Sequence, residues 1–286
     1  MVNIEALLTI CTMRNLIILL LLILCQYNSL FSQNHRFFYE FQYKTEPEGR
    51  EISKDILLLT IKGSDITFLS NKFVEIDSIN ANSKFQKQYI NPQYNSILQY
   101  SNINKIFTSY KKLDLDYYNY DFNVDLKWKI HNEKKTILGF SVQKSTTKYS
   151  GRNWIVWFSN EIQLPYGPHV FYGLPGLVLE AYDDKKNFHY QMIKSSNSLS
   201  HNFNLSNIFE EPPSKIQAKD WKRVQINYYN NPLYNYKTIG WIMYNKDGSQ
   251  FTSKDYKELE LQIKDGMRKY NNPIELDEKI DFAILK

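Results

Sequence analysis

Residues 151–182, GRNWIVWFSNEIQLPYGPHVFYGLPGLVLEAY, restrict the fold more than any other part of the chain. Two apolar runs, 154–158 and 177–181, are each of strand length. Between them lie Tyr166-Gly167-Pro168 and Gly173-Leu174-Pro175-Gly176. Proline presets φ for the first central position of a turn, and glycine supplies the positive φ that a type II turn requires at the second. Leu174-Pro175-Gly176-Leu177 therefore predicts a type II turn with Gly176 in the left-handed region. The segment reads as strand, long shaped loop, tight turn, strand.

The rest of the chain repeats the strand signal. Residues 37–44 alternate apolar and polar. Residues 56–62 and 66–73 follow, joined by a hairpin turn at 62–65, and strands are expected at 103–110 and 113–122. Residues 126–131 and 136–144 pair across a turn at 132–135, with Leu126, Trp128 and Ile130 on one face. Gly139 suggests a bulge or a close backbone approach. Over 187–195, Phe188, Tyr190 and Met192 alternate with His189, Gln191 and Ile193. A short helix is expected near 79–89, and 216–230 reads equally as helix or strand. Ser253 predicts the N-cap of a helix running to about residue 270, with Tyr256, Leu259, Ile263 and Met267 three or four apart. Asn271-Asn272-Pro273 ends it.

Roughly nine short strands with few helices argue for one mainly β domain over residues 33–286, built on a single antiparallel sheet. One wet face per strand fits a strongly curved open sheet, a half-barrel, or a barrel-like closure, with the C-terminal helix over an open edge or mouth. The high aromatic content, with 22 Tyr and 17 Phe, leans the same way.

Residues 16–24, LIILLLLIL, follow Arg14 and precede Ser29 and Ser32, the pattern of a secretory signal peptide over 1–32, with Met13 as an alternative start. The run is shorter than the ~20 residues that span a bilayer. Cleavage after Ser32 removes Cys11 and Cys25, so the mature chain carries neither disulfide nor thiol nucleophile; a lipidated Cys25 is disfavoured by the large Leu24 before it. The net charge of +5 comes from scattered Lys and Arg, which gives no footprint for nucleic acid. The mature chain has no transmembrane segment by this reading.

The ordered set Trp128-Lys129-Ile130, Ile137-Leu138-Gly139-Phe140, Gly151-Arg152-Asn153, Trp157-Phe158, Glu161-Ile162, Gly167-Pro168 and Gly173-Leu174-Pro175-Gly176-Leu177-Val178 resembles the GLPGLI family of secreted Bacteroidetes proteins. The likeness is strongest over 124–195, and Asn271-Asn272-Pro273-Ile274-Glu275-Leu276 is similar to that family's usual ending. Gly167, Pro168, Gly173, Leu174, Pro175 and Gly176 form its structural signature. The resemblance implies an exported protein without an established activity. Relatives often carry a cysteine after Gly139-Phe140, where this chain has Ser141-Val142-Gln143.

Candidate chemistry is sparse. Of five histidines, His35, His131, His169, His189 and His201, none sits at a metal-ligand spacing. His169, in the shaped loop, could join Glu180 and His189 on neighbouring strands as a two-His, one-carboxylate site for a metal-dependent hydrolase; the plainer reading is a loop histidine bonded to backbone. Arg152, Trp154, Val156 and Phe158 share one strand face, and Trp157 takes the other. Arginine beside tryptophan suits a carboxylate, phosphate or lipid headgroup; the plainer reading is a strand-end salt bridge. The leading expectation is a non-enzymatic exported protein without cofactor or metal, binding a hydrophobic or amphipathic ligand, such as a lipid, or a cell-envelope partner through Arg152, Trp154, Trp157 and His169. An accessory role in an outer-membrane uptake system is the third reading.

Overall fold

The computed structural model describes residue 13 and residues 34–83, 87–196 and 203–285. Of the expected leader only Met13 falls among them, and both cysteines and His201 lie outside the described residues. The architecture is a single sheet of twelve strands: β1 (Asn34–Tyr43), β2 (Ser53–Lys62), β3 (Asp65–Ser70), β4 (Ile97–Ser101), β5 (Ile106–Leu113), β6 (Asp116–Phe122), β7 (Lys129–Ile137), β8 (Phe140–Tyr149), β9 (Arg152–Ser159), β10 (Leu177–Asp183), β11 (Phe188–Ser196) and β12 (Ser214–Lys215). Their spatial order is β12-β6-β5-β4-β3-β2-β1-β11-β10-β9-β8-β7. All neighbours are antiparallel except the short β12, which runs parallel to β6. The two end strands, β12 and β7, do not pair with each other, so the sheet is open and the barrel-like closure is corrected.

Four α-helices are described: α1 (Asn71–Asn82), α2 (Trp221–Asn230), α3 (Tyr234–Ile239) and α4 (Ser253–Lys269). Helix α1 starts where β3 stops, because the Ser70 hydroxyl accepts from the Lys72 amide and caps it. The helix thus starts eight residues before the 79–89 stretch expected for it and overlaps it only over 79–82. Residues 216–230 resolve into a 3-10 turn at Ala218–Asp220 and helix α2, the helical one of the two readings. The C-terminal helix forms as expected, but Thr252 is its cap, sharing a capping box with Asp255. It buries none of its residues and packs beside α2 instead of sealing a sheet edge.

Turns account for the other departures. Gly139 marks a hairpin turn, not a bulge: Leu138 and Gly139 both take positive φ, and β7 runs unbroken to residue 137. The bulge falls instead between Ile130 and Lys134, where a turn is expected from sequence. The β5–β6 turn sits at Asp114-Leu115, and β4 is a strand that its Ser- and Asn-rich surroundings hide.

The sheet has two unlike faces. On one, Tyr39, Phe41, Trp154, Val156, Leu179 and Tyr190 are buried beneath the loop over 160–176, Val124 and the segment around Ile274. Aromatic rings stack across the central strands there; the Phe41 and Tyr190 rings lie 4.4 Å apart and nearly parallel. On the other face, α1 and residues 203–209 cover Leu58, Leu69 and Ile97 on one half of the sheet. The remaining half, over β1, β11, β10 and β9, carries polar and half-buried side chains.

Candidate functional site

Every residue of the opening segment can now be placed. The loop over 160–176 is laid along the sheet by backbone bonds: Gly173 N to Pro165 O at 2.9 Å, Leu177 N to Ile162 O at 2.9 Å, and Val178 N to Tyr166 O at 3.0 Å. Trp128 Nε1 donates to Tyr172 O at 2.9 Å, and the Tyr172 hydroxyl donates to Val124 O at 2.6 Å. Leu174 is buried in the core. The expected type II turn with a left-handed Gly176 is corrected: positive φ belongs to Gly173 (+87°) and not to Gly176. Gly176 is required for a different reason. A Cβ there would lie 2.0 Å from the Ser159 carbonyl oxygen, where the loop passes over the end of β9. The Pro168 carbonyl accepts from Phe171 N at 3.2 Å, closing the turn that carries His169.

Arg152 is almost fully enclosed. Its Nε donates to Ile274 O at 2.8 Å, Nη1 meets Asp183 Oδ2 at 3.0 Å, and Nη2 reaches Asn272 Oδ1 at 2.8 Å and Pro273 O at 2.7 Å. The guanidinium plane lies over Phe188, 4.6 Å from the ring centre. Asp183 in turn accepts from the amides of Asn187 and Phe188, which shapes the β10–β11 turn. The strand-end salt bridge weighed from sequence is present, extended into a clamp that holds residues 272–274 against the sheet.

His169 lies beneath that same segment. Its Nε2 is 3.0 Å from Glu275 Oε1, and its ring is parallel to Tyr190. The contact is at ion-pair distance but off the line of a good hydrogen bond, and Nδ1 has no partner. Lys111 Nζ bridges Glu275 at 3.4 Å and Glu278 at 3.8 Å. Burial would raise the Glu275 carboxyl, but Lys111 and then His169 outweigh it and hold it well below the usual carboxylate range. Burial and the nearby Glu275 charge push Glu278 up. Trp154 has no exposure at all, and Trp157, half-buried on the opposite face, lies under Lys135, 4.4 Å from the ring centre.

The three residues of the two-His, one-carboxylate reading do not meet. His169 packs on the Tyr190 side, whereas Glu180 and His189 project from the other face, since Glu180 pairs with Gln191 and Tyr182 with His189. Among the described residues no group of three His, Cys, Asp or Glu side chains converges. What does form is the Glu180–His189 part of that reading, joined not by His169 but by Lys135, which the sequence reading did not include. His189 Nε2 lies 2.9 Å from Glu180 Oε1, and Lys135 bonds the other carboxylate oxygen. Burial alone would raise Glu180; the bonds from His189 and Lys135 reverse it and hold the carboxyl below its ordinary value. Around the pair, Gln42, Tyr182, Lys186 and Ile52 line a half-open cavity of about 370 Å³. The Tyr182 and His189 rings meet edge to face at 5.6 Å.

The N-glycanase peptide, N-terminal domain family model matches residues 41–209, more than half of the chain. The chain belongs to that family. The matched span runs from the last residues of β1 to just past β11 and includes both the GLPG loop and the Glu180–His189 cavity. No curated protein matches it. Among solved structures it is similar to PNGF-II in its P21 crystal form, at 14% identity and a TM-score of 0.49, over 68% of this chain and 33% of that one. The C2 form gives 14% identity and a TM-score of 0.48, over 67% and 32%. The chain thus spans about a third of the length of PNGF-II. A domain from Vibrio parahaemolyticus named for outer membrane lipoprotein sorting matches at 8% identity and a TM-score of 0.22, over 64% of this chain and 94% of that one. Among the described residues no helix is long and apolar enough to cross a membrane.

Proposed function

We propose that this N-glycanase N-terminal domain is an exported binding module that takes an amphipathic ligand on the open sheet face around Glu180, Tyr182 and His189. One observation carries the reading: the 370 Å³ cavity there combines aromatic rings with a buried carboxylate bonded to a half-buried imidazole on the face of the sheet. The opposite face, where a purely hydrophobic ligand would have to lie, is filled by the protein's own loop and C-terminal segment. A ring of sugar type suits the open face, with its C–H side stacked on Tyr182 and its hydroxyls bonded to Gln42, Glu180 and His189. The family's name supports a glycan-bearing partner. The apolar run at 16–24 supports export, and the ordered motifs support membership of the GLPGLI family as well. A strong bend of the sheet about β1 and β11 belongs to the same proposal, since it would deepen the cavity.

The test is a titration followed through the His189 imidazole resonances, first with a purified N-linked glycopeptide and then with phosphocholine detergent micelles. The glycopeptide should shift His189 saturably in the parent protein and not in Tyr182→Ala. A response to micelles alone, or an unchanged glycopeptide response in Tyr182→Ala, would overturn the assignment.

A further inference from the structure

A second cavity lies far from both features above, between the tip of the β5–β6 hairpin and the α2–α3 corner, and encloses about 490 Å³. Its wall on the hairpin side is Asp114, Asp116 and Tyr118; on the helical side it is Tyr228, Tyr234 and Asn227. Two carboxylates and three phenol rings therefore share one hollow. Lys112 of the same hairpin lies over the Tyr117 ring at 5.5 Å, and its charge acts on Asp114 more weakly than burial does. The Tyr236 hydroxyl donates to Asp114 Oδ1 at 3.3 Å, and the Leu115 amide also bonds the carboxylate, which fixes its orientation in the wall of the hollow. Burial raises the Asp114 carboxyl above its ordinary value, helped by the nearby Asp116 charge and only partly offset by the Tyr236 bond, Lys112 and the Leu115 amide. This is the signature of a negative charge taken out of water without a full counter-charge.

The backbone adds a second, independent point. Asp114 occupies the first central position of a two-residue hairpin turn at φ +57°. Glycine is the low-strain residue at such a position, and aspartate is merely tolerated.

We infer that this hollow is a binding site for an organic ammonium group, held by the Asp114 carboxylate and by the rings of Tyr118, Tyr228 and Tyr234, with Asp116 adding negative charge at the wall. Aromatic rings around a cation contribute through the negative charge of their faces, and a carboxylate behind them supplies the long-range attraction. The volume exceeds that of an ammonium headgroup alone, so the ligand carries a larger body, and Asn227 on the rim suits a polar one. This site is separate from the proposed glycan face, and either can fail without the other.

Choline chloride is the first probe, followed by calorimetry or by the ring resonances of Tyr228. Its uncharged carbon isostere, in which a quaternary carbon replaces nitrogen, is the control for shape alone. Choline should bind and the isostere should not; Tyr228→Leu should weaken choline by roughly three- to thirty-fold, the range of a partly desolvated cation–π contact. The decisive variant is Asp114→Gly. It should abolish choline binding while leaving the melting temperature equal or higher, because glycine relaxes the turn. Equal binding of choline and its isostere, choline binding retained in Asp114→Gly, or binding of calcium alone would overturn the assignment. Lysine amide and arginine amide, run in parallel, distinguish a protein side chain from a small-molecule or lipid-headgroup source.

Discussion

Glycines at 173 and 176 do different jobs in a stretch where sequence chemistry offers only one. Gly173 supplies the left-handed φ, with nothing closer to its Cβ position than Trp128 Nε1 at 4.0 Å. Gly176 supplies emptiness, because the backbone of Ser159 and Asn160 fills the space a methyl group would need. Gly173→Ala should therefore cost about 1 kcal/mol, the strain of a left-handed alanine. Gly176→Ala should cost more, about 2–3 kcal/mol, because backbone must move to admit it. Chemical denaturation of the two variants ranks them; the reverse order would restore the left-handed assignment to Gly176. A turn rule could find that glycines are needed here but not which constraint each one meets, since that depends on the end of a strand seventeen residues away.

At the scale of elements, alternation made β9 and β11 legible: Trp154, Val156 and Phe158, and Phe188, Tyr190 and Met192, are buried where period two puts them. The same rule failed over 129–137. There, Lys, Glu and Asn occupy both faces of an exposed edge strand, and polarity imitates a turn. Residues 271–276 stand out in the sequence only as a helix stop and a family-like ending, with no pattern that says they complete the core. Arg152 and His169 stand on β9 and in the GLPG loop, and their partners come from this distant segment. Glu275 should make that closure sensitive to acid. Its folded carboxyl sits below its ordinary value, so its contribution is present above about pH 4.5 and is lost as pH falls towards the folded value. Glu180 is shifted in the same direction. Glu275→Gln should thus lower the melting temperature near neutral pH and flatten its decline in acid without abolishing it. A decline as steep as the parent's would remove Glu275 from that role.

For the molecule as a whole, an open sheet of twelve strands must protect two ends. One is capped by β12 and the helices after it. The other, β7, is left long and bare, but it carries Lys129, Glu133, Lys134 and Lys135 along its length. Charges of this kind oppose pairing with a second sheet. Replacing Lys129 and Lys134 together by threonine should convert monomer to dimer or larger species in light scattering, with the glycan-face cavity unchanged; a persistently monomeric double variant would show that the edge is protected by other means. The strand order has one more consequence. β1 lies between β2, which follows it directly, and β11, about 150 residues further along. A chain made from its N-terminus onward therefore exposes a half-built sheet, with one edge of β1 unpaired, until β11 arrives, and the Arg152 clamp cannot close until residue 272 follows. During that wait the nascent protein is a template with its most aromatic strand on offer, so its yield in the cell should depend on how quickly synthesis ends or on a holdase that shields that edge.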